Sequence, residues 1–93
     1  MQIQHTQQDQ DGTFFIEKNG DIVAEMTYYL KGENTIVIDH TEVDESLRGR
    51  NIGFELVKKG AEYARKQNLK IVPLCEFAKS VFNKKEEFRD VLQ

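Results

Sequence analysis

The chain is poor in the residues that staple, punctuate or ligate. It has one cysteine (Cys75), one proline (Pro73), no tryptophan and two histidines (His5 and His40) in 93 residues. A lone cysteine excludes an internal disulfide framework and any Cys-x-x-Cys pair. Two histidines so far apart are too few to form a metal site alone, so no metal is expected. No apolar run approaches the ~20 residues of a membrane span. The start, Met1-Gln2-Ile3-Gln4-His5, has neither the charge nor the apolar stretch of a secretory leader. Positive charge is not in excess either. A formal charge of −3 gives no global attraction to nucleic acid, so anion binding must come from a local patch. Neither nucleic acid nor a membrane is an expected partner. These absences predict one small domain over residues 1–93, in a reducing, cytoplasmic setting.

What is present divides into two halves of different period. Thr13 to Lys18 is aromatic and β-branched, and Asn19-Gly20 is a two-residue hairpin signal. On the return strand Ile22, Ala24, Met26, Tyr28 and Leu30 share one face, with Glu25 and Thr27 on the other. Lys31-Gly32-Glu33-Asn34 is the next turn, and Thr35 to Val43 is a third strand opened by Ile36-Val37-Ile38. The glutamine-rich segment Ile3–Gln7 is the least strand-like candidate. From Asn51 to Gln67 the period becomes helical, with Gly53, Leu56, Val57, Gly60, Ala61 and Ala64 on one face. Glu55 with Lys59, and Glu62 with Lys66, are i,i+4 pairs on the other face. Asn68 is a stop signal, Lys70 to Pro73 a short strand, and the chain from Phe77 onward a helix anchored by Phe82, Phe88, Val91 and Leu92. In that helix Lys84-Lys85-Glu86-Glu87 reads most simply as a solvated face. The order is an antiparallel meander followed by helix, strand and helix. This is an α+β fold, three-layer-like, whose third strand, helix and next strand form a parallel crossover.

Between the halves lies Leu47-Arg48-Gly49-Arg50-Asn51-Ile52-Gly53, a basic, glycine-containing turn that opens the long helix. A helix start exposes N–H groups without partners, and the macrodipole adds positive potential. Two glycines allow close approach and two arginines add charge, a combination suited to an anion and to a diphosphate in particular. Ligands of a parallel crossover sit beyond the carboxyl ends of its strands. That rule puts the turn, the end of the third strand and Cys75 in one neighbourhood. On the third strand period-two geometry gives His40 and Glu42 one face, and Asp39 and Thr41 the other. A histidine beside a carboxylate can act as a general base, or both can be a solvated strand end. Cys75 can be a small buried hydrophobe or, at a helix start, a reactive thiol.

The segments His40-Thr41-Glu42-Val43, Leu47 to Gly53, and Leu69-Lys70-Ile71-Val72-Pro73-Leu74-Cys75-Glu76-Phe77 resemble the GCN5-related N-acetyltransferases, specifically their very small YjdJ-type subclass. The likeness runs from about the second strand to the end of the chain. It implies acetyl-coenzyme A as cosubstrate, with its diphosphate on Arg48, Gly49, Arg50, Asn51, Ile52 and Gly53. It also implies that the pantetheine arm runs along Glu42 and Val43. A nicotinamide-binding reading fits less well, since the turn follows an antiparallel meander and no ribose-binding acid follows on a second strand. Two positions depart from the family pattern: Asn51 replaces a glycine, and Phe82 replaces a tyrosine that protonates the leaving thiolate.

With the resemblance in place, Glu42, His40 and Cys75 are the candidate catalytic residues. Glu42 or His40 would take a proton from an acceptor amine while Cys75 protonates departing coenzyme A. Alternatively the Cys75 thiolate would carry the acyl group itself. The expected function is an N-acetyltransferase acting on an unidentified amine, small molecule or protein, as a monomer or weak homodimer. The alternative is a non-catalytic acyl-coenzyme A binding or regulatory module.

Overall fold

The computed structural model describes residues 2–93. Strands β1 (Gln4–Gln8), β2 (Asp11–Lys18), β3 (Asp21–Lys31) and β4 (Thr35–Val43) lead through a 3-10 turn, Glu45–Leu47, into helix α1 (Ile52–Gln67). Strand β5 (Lys70–Pro73), helix α2 (Glu76–Lys84) and a second 3-10 turn, Glu86–Val91, complete the chain. The strands lie in sequence order in one sheet, with β1 to β4 antiparallel and β4 parallel to β5. This is the expected α+β arrangement with its parallel crossover. The glutamine-rich segment does form a strand, because β2 offers it a full antiparallel ladder from Gln4↔Phe15 to Gln8↔Asp11. The C-terminal helix is shorter than expected: it ends at Lys84 and resumes as the 3-10 turn after Lys85, whose backbone is extended.

The core lies between one face of the sheet and the helices. Ala24, Met26 and Tyr28 of β3 and Ile36 and Ile38 of β4 meet Leu56, Val57, Ala61 and Ala64 of α1 and Ala78, Val81 and Phe82 of α2. Fully burying one of the larger side chains stabilises the fold by roughly 1.5–3 kcal/mol. The small residues on α1 let it lie close to the sheet: a Cβ on Gly60 would stand 2.8 Å from Met26 Cε. Ile22, expected on this face, is 54 % exposed. The cause is a bulge, in which Ile16 pairs with Ala24 but Glu17 with Ile22, leaving Val23 unmatched. One extra residue turns everything beyond it to the opposite face.

The last turn is tied to α1 through Arg65. Its Nε and Nη2 donate to the Asp90 carboxylate at 2.7 and 2.8 Å, and Nη2 also reaches the Glu87 carbonyl at 3.2 Å. The guanidinium holds the Asp90 carboxyl below its ordinary range. The pair is solvent-exposed, so it contributes position more than energy. On the outer face of α1, Lys59 lies 3.9 Å from Glu62, an i,i+3 pair in place of the i,i+4 pair with Glu55. No described helix is long and apolar enough to cross a membrane.

At the β1 end the His5 ring stacks on Phe14, with centroids 4.1 Å apart, and its Nε2 lies 2.6 Å from the Tyr28 hydroxyl. Burial of the ring lowers the His5 pKa from 6.5. Below about pH 6.5 the unfolded chain therefore takes up a proton that the folded chain resists. Stability is full above that pH and falls as pH drops toward the folded value. Urea midpoints at about pH 7.5 and about pH 5.5 are expected to show this loss in the wild type and a smaller one in His5→Gln. Equal losses in both proteins would contradict the assignment.

Candidate functional site

The site begins where two parallel strands part. The β4–β5 ladder runs from Thr35↔Lys70 to Ile38↔Pro73 and stops. Pro73 has no N–H to extend it. The next two N–H groups, of Leu74 and Cys75, both donate to the Ile38 carbonyl at 2.9 and 3.3 Å, which closes the ladder and turns the chain into α2. On the other side of the gap β4 carries its own bulge. Tyr28 pairs with Ile38 and Thr27 with His40, leaving Asp39 unmatched. The Thr27 hydroxyl donates to Asp39 Oδ1 at 2.6 Å.

This bulge decides which side chains face the gap. Beyond it Thr41 stands opposite Met26 and Val43 opposite Ala24, on the helix side of the sheet. His40 and Glu42 stand opposite Thr27 and Glu25, on the other side. His40 and Glu42 thus share a face as expected, 3.7 Å apart. Asp39 and Thr41 do not, because simple alternation fails across an inserted residue.

Between the parted strands lies an open cleft of about 700 Å³. One wall is Thr41 and Val43, the floor is the turn Leu47 to Phe54, and the other wall is α2 with Phe77, Ser80 and Lys84. At the floor the backbone is set by Gly49 (φ 84°) and Asn51 (φ 63°). The first bond of α1 runs from the Glu55 N–H to the Asn51 carbonyl at 3.1 Å, and the Asn51 side chain caps nothing. The N–H groups of Ile52, Gly53 and Phe54 are therefore left without helical partners. Gly53 keeps this floor open to α2, since a Cβ there would stand 2.5 Å from Phe77 Cζ.

At the β5 end of the cleft Cys75 is the N-cap of α2. Its Sγ accepts from the Ala78 N–H at 3.4 Å and lies 3.4 Å from the Thr41 hydroxyl. The turn and the end of β4 thus meet in the cleft, while Cys75 does not line it and reaches it only through Thr41. Val43, Arg48, Gly49, Asn51, Ile52 and Gly53 line the cleft, whereas Arg50 is exposed beside it. Glu42 instead lines an adjoining groove with Glu25, Asp44 and Glu45, which shares Val43 and Arg48 with the cleft. Charge changes sign across Arg48. His40 joins Glu25 and Glu42 in a cluster whose ligand atoms lie within 4.8 Å of one another. Phe82 is 1 % exposed and packs edge-on against Phe88 in the core. Thr41, Phe54 and Phe77 were not anticipated as site residues, and neither were the two lysines at the end of α2, Lys84 and Lys85.

The family model described as GCN5-related N-acetyltransferase matches residues 13–91. The chain belongs to the GCN5-related N-acetyltransferase family. No curated protein matches the sequence. Among solved structures, a GCN5-like protein from Staphylococcus aureus, determined by NMR in solution, is 36 % identical. The match covers 97 % of this chain and 87 % of that one, with a TM-score of 0.73. GCN5 of Tetrahymena is 20 % identical, with 83 % of this chain and 51 % of that chain covered at a TM-score of 0.67. An Elizabethkingia anophelis family member with acetyl-coenzyme A bound is 18 % identical, with 83 % and 53 % covered at a TM-score of 0.64. This small acetyltransferase-family chain thus spans about half the length of these two larger members.

The departure at Asn51 now has a physical basis. Its left-handed backbone suits glycine, asparagine tolerates it, and a β-branched residue does not. Asn51→Gly is expected to leave the urea midpoint nearly unchanged, while Asn51→Val should lower stability by about 1–2 kcal/mol. Equal stability of the two variants would show that the turn does not require this conformation.

Proposed function

We propose that this chain binds acetyl-coenzyme A in the β4–β5 cleft and transfers the acetyl group to an amine. The observation that carries the proposal is the nearness of two features: unpartnered helix N–H groups on the floor of the cleft, and a thiol that touches Thr41, which lines the same cleft. Chemically, the first suits a diphosphate and the second suits the thioester end of the same carrier.

In this proposal the N–H groups of Ile52, Gly53 and Phe54 hold the diphosphate, with Arg48 as its cation and Gly49, Arg50 and Asn51 shaping and charging the turn. The pantetheine arm follows Val43 and the backbone of Glu42, where β4 has no strand on its β5 side. An acceptor amine reaching the thioester past Val43 and Arg48 passes the acidic groove. There Glu42, with His40 beside it, takes the proton that the amine loses on attack. The collapsing intermediate expels the coenzyme A thiolate, which takes the proton of the Cys75 thiol. Phe82 has no hydroxyl for that task and is buried away from the cleft. In a two-step variant the Cys75 thiolate attacks first, forms an acetyl thioester and releases coenzyme A. The buried Phe82 also favours a second reading, in which the chain holds acyl-coenzyme A without turnover.

Arg48→Glu is expected to weaken coenzyme A binding at least about tenfold, or ~1.4 kcal/mol, without moving the urea midpoint. Unchanged affinity would sink the diphosphate assignment. In the same preparations, release of coenzyme A from acetyl-coenzyme A is expected to require an amine when a panel of amines, polyamines and peptides is tested. Tight binding with no release on any of them would favour the holding module instead. An added acetyl mass on the wild type but not on Cys75→Ala, with acetyl-coenzyme A alone, marks the two-step route, and an unmodified wild type removes it.

A further inference from the structure

We propose that Lys84 and Lys85 bind the 3′-phosphate of coenzyme A and make this chain selective for coenzyme A over dephospho-coenzyme A. The proposal rests on the cleft being the coenzyme A site. Both lysines are exposed, as a solvated helix face predicts, and both also line the cleft. The chain as a whole has 16 acidic against 13 basic residues. The cleft reverses that balance: its charged lining residues are Arg48, Lys84 and Lys85, with no carboxylate among them.

The three cations are also without partners. Among the described residues Lys59, Arg65, Lys79 and Arg89 each have a carboxylate within 4.0 Å; the remaining lysines and arginines, with Arg48, Lys84 and Lys85 among them, have none. Glu86, the nearest acid in sequence, is 3.9 Å from Arg89 instead. Cations gathered in one cleft without counter-charge repel one another, and a bound anion relieves that repulsion. Lys85 is held in place for the purpose. Its Nζ lies 5.2 Å from the centroid of the Phe54 ring, in the first turn of α1 beside the free N–H groups.

Position separates the duties of the three charges. From its N-cap, Cys75, helix α2 runs to Lys84, about 14 Å further along its axis. The thiol and the lysines therefore occupy opposite ends of one wall. This is the polarity of a carrier with a thioester at one end and phosphates at the other. The diphosphate is matched by Arg48 and the N–H groups. A phosphate monoester adds a further charge of about −1.5 to −2 at neutral pH. Lys84 and Lys85 supply two charges for it, and no other described group in the cleft does.

Dephospho-coenzyme A differs from coenzyme A only in lacking this phosphate, which makes the test direct. Both ligands are titrated into the wild type and into the double variant Lys84→Gln, Lys85→Gln by calorimetry, with circular dichroism as the folding control. The wild type is expected to bind coenzyme A about tenfold or more tightly than dephospho-coenzyme A. The variant is expected to bind both equally, with its affinity for dephospho-coenzyme A unchanged. Equal binding of both ligands by the wild type would overturn the proposal, as would a preference that survives in the variant. A parallel loss of both affinities would also overturn it, by assigning the lysines to the diphosphate. If the wild type bound neither ligand, the coenzyme A reading of the cleft would itself fail.

Discussion

The carbonyl of Ile38 is the point on which the rest of the site depends. It accepts from the N–H groups of both Leu74 and Cys75, and so ends the only parallel ladder in the described sheet. Upstream of it, β4 and β5 are ordinary neighbours with Ile36 and Ile71 side by side in the core. Downstream, β4 continues for five residues with no strand on its β5 side, and α2 departs carrying Cys75 at its cap. A gap of this kind costs backbone hydrogen bonds unless something else supplies them. An extended amide-bearing arm, such as a pantetheine, is suited to fill it.

The remaining elements serve the gap in recognisable ways. The core fixes α1 against β3 and β4 through small residues, which brings the helix start to the mouth of the parted strands. The Asp39 bulge turns Thr41 and Val43 inward and His40 and Glu42 outward. β4 thereby presents a neutral edge to one groove and an acidic edge to the other. Arg48 and Val43 belong to both grooves and form the boundary between them. A transferase of this geometry would receive its anionic carrier and its cationic acceptor from opposite sides of one strand.

Much of this was legible in the residues because it depends on local rules. The hairpin turn at Asn19-Gly20, the helical period of Leu56, Val57, Gly60, Ala61 and Ala64, and the basic, glycine-containing turn at Arg48 to Gly53 each declare themselves within a few positions. What was not legible depends on pairing between strands. Neither Val23 nor Asp39 carries a sign that it will be the unmatched residue of a bulge, yet these two insertions expose Ile22 and assign Thr41 to the cleft. Lys84 and Lys85 are exposed, as a solvated run predicts, and their place beside the cleft depends on packing in the same way. Lys85 meets Phe54 of the neighbouring α1, a contact that nothing in its own run announces.

The central claim is that one cleft holds the carrier from the start of α1 to the free edge of β4. Amide chemical shifts followed while coenzyme A is added test it most directly. The claim predicts saturable shifts at Ile52, Gly53 and Phe54, and at Thr41 to Val43, all following one binding curve. Shifts gathered instead around Glu25 and His40 on the far face of the sheet, or no saturable shifts at all, would contradict it.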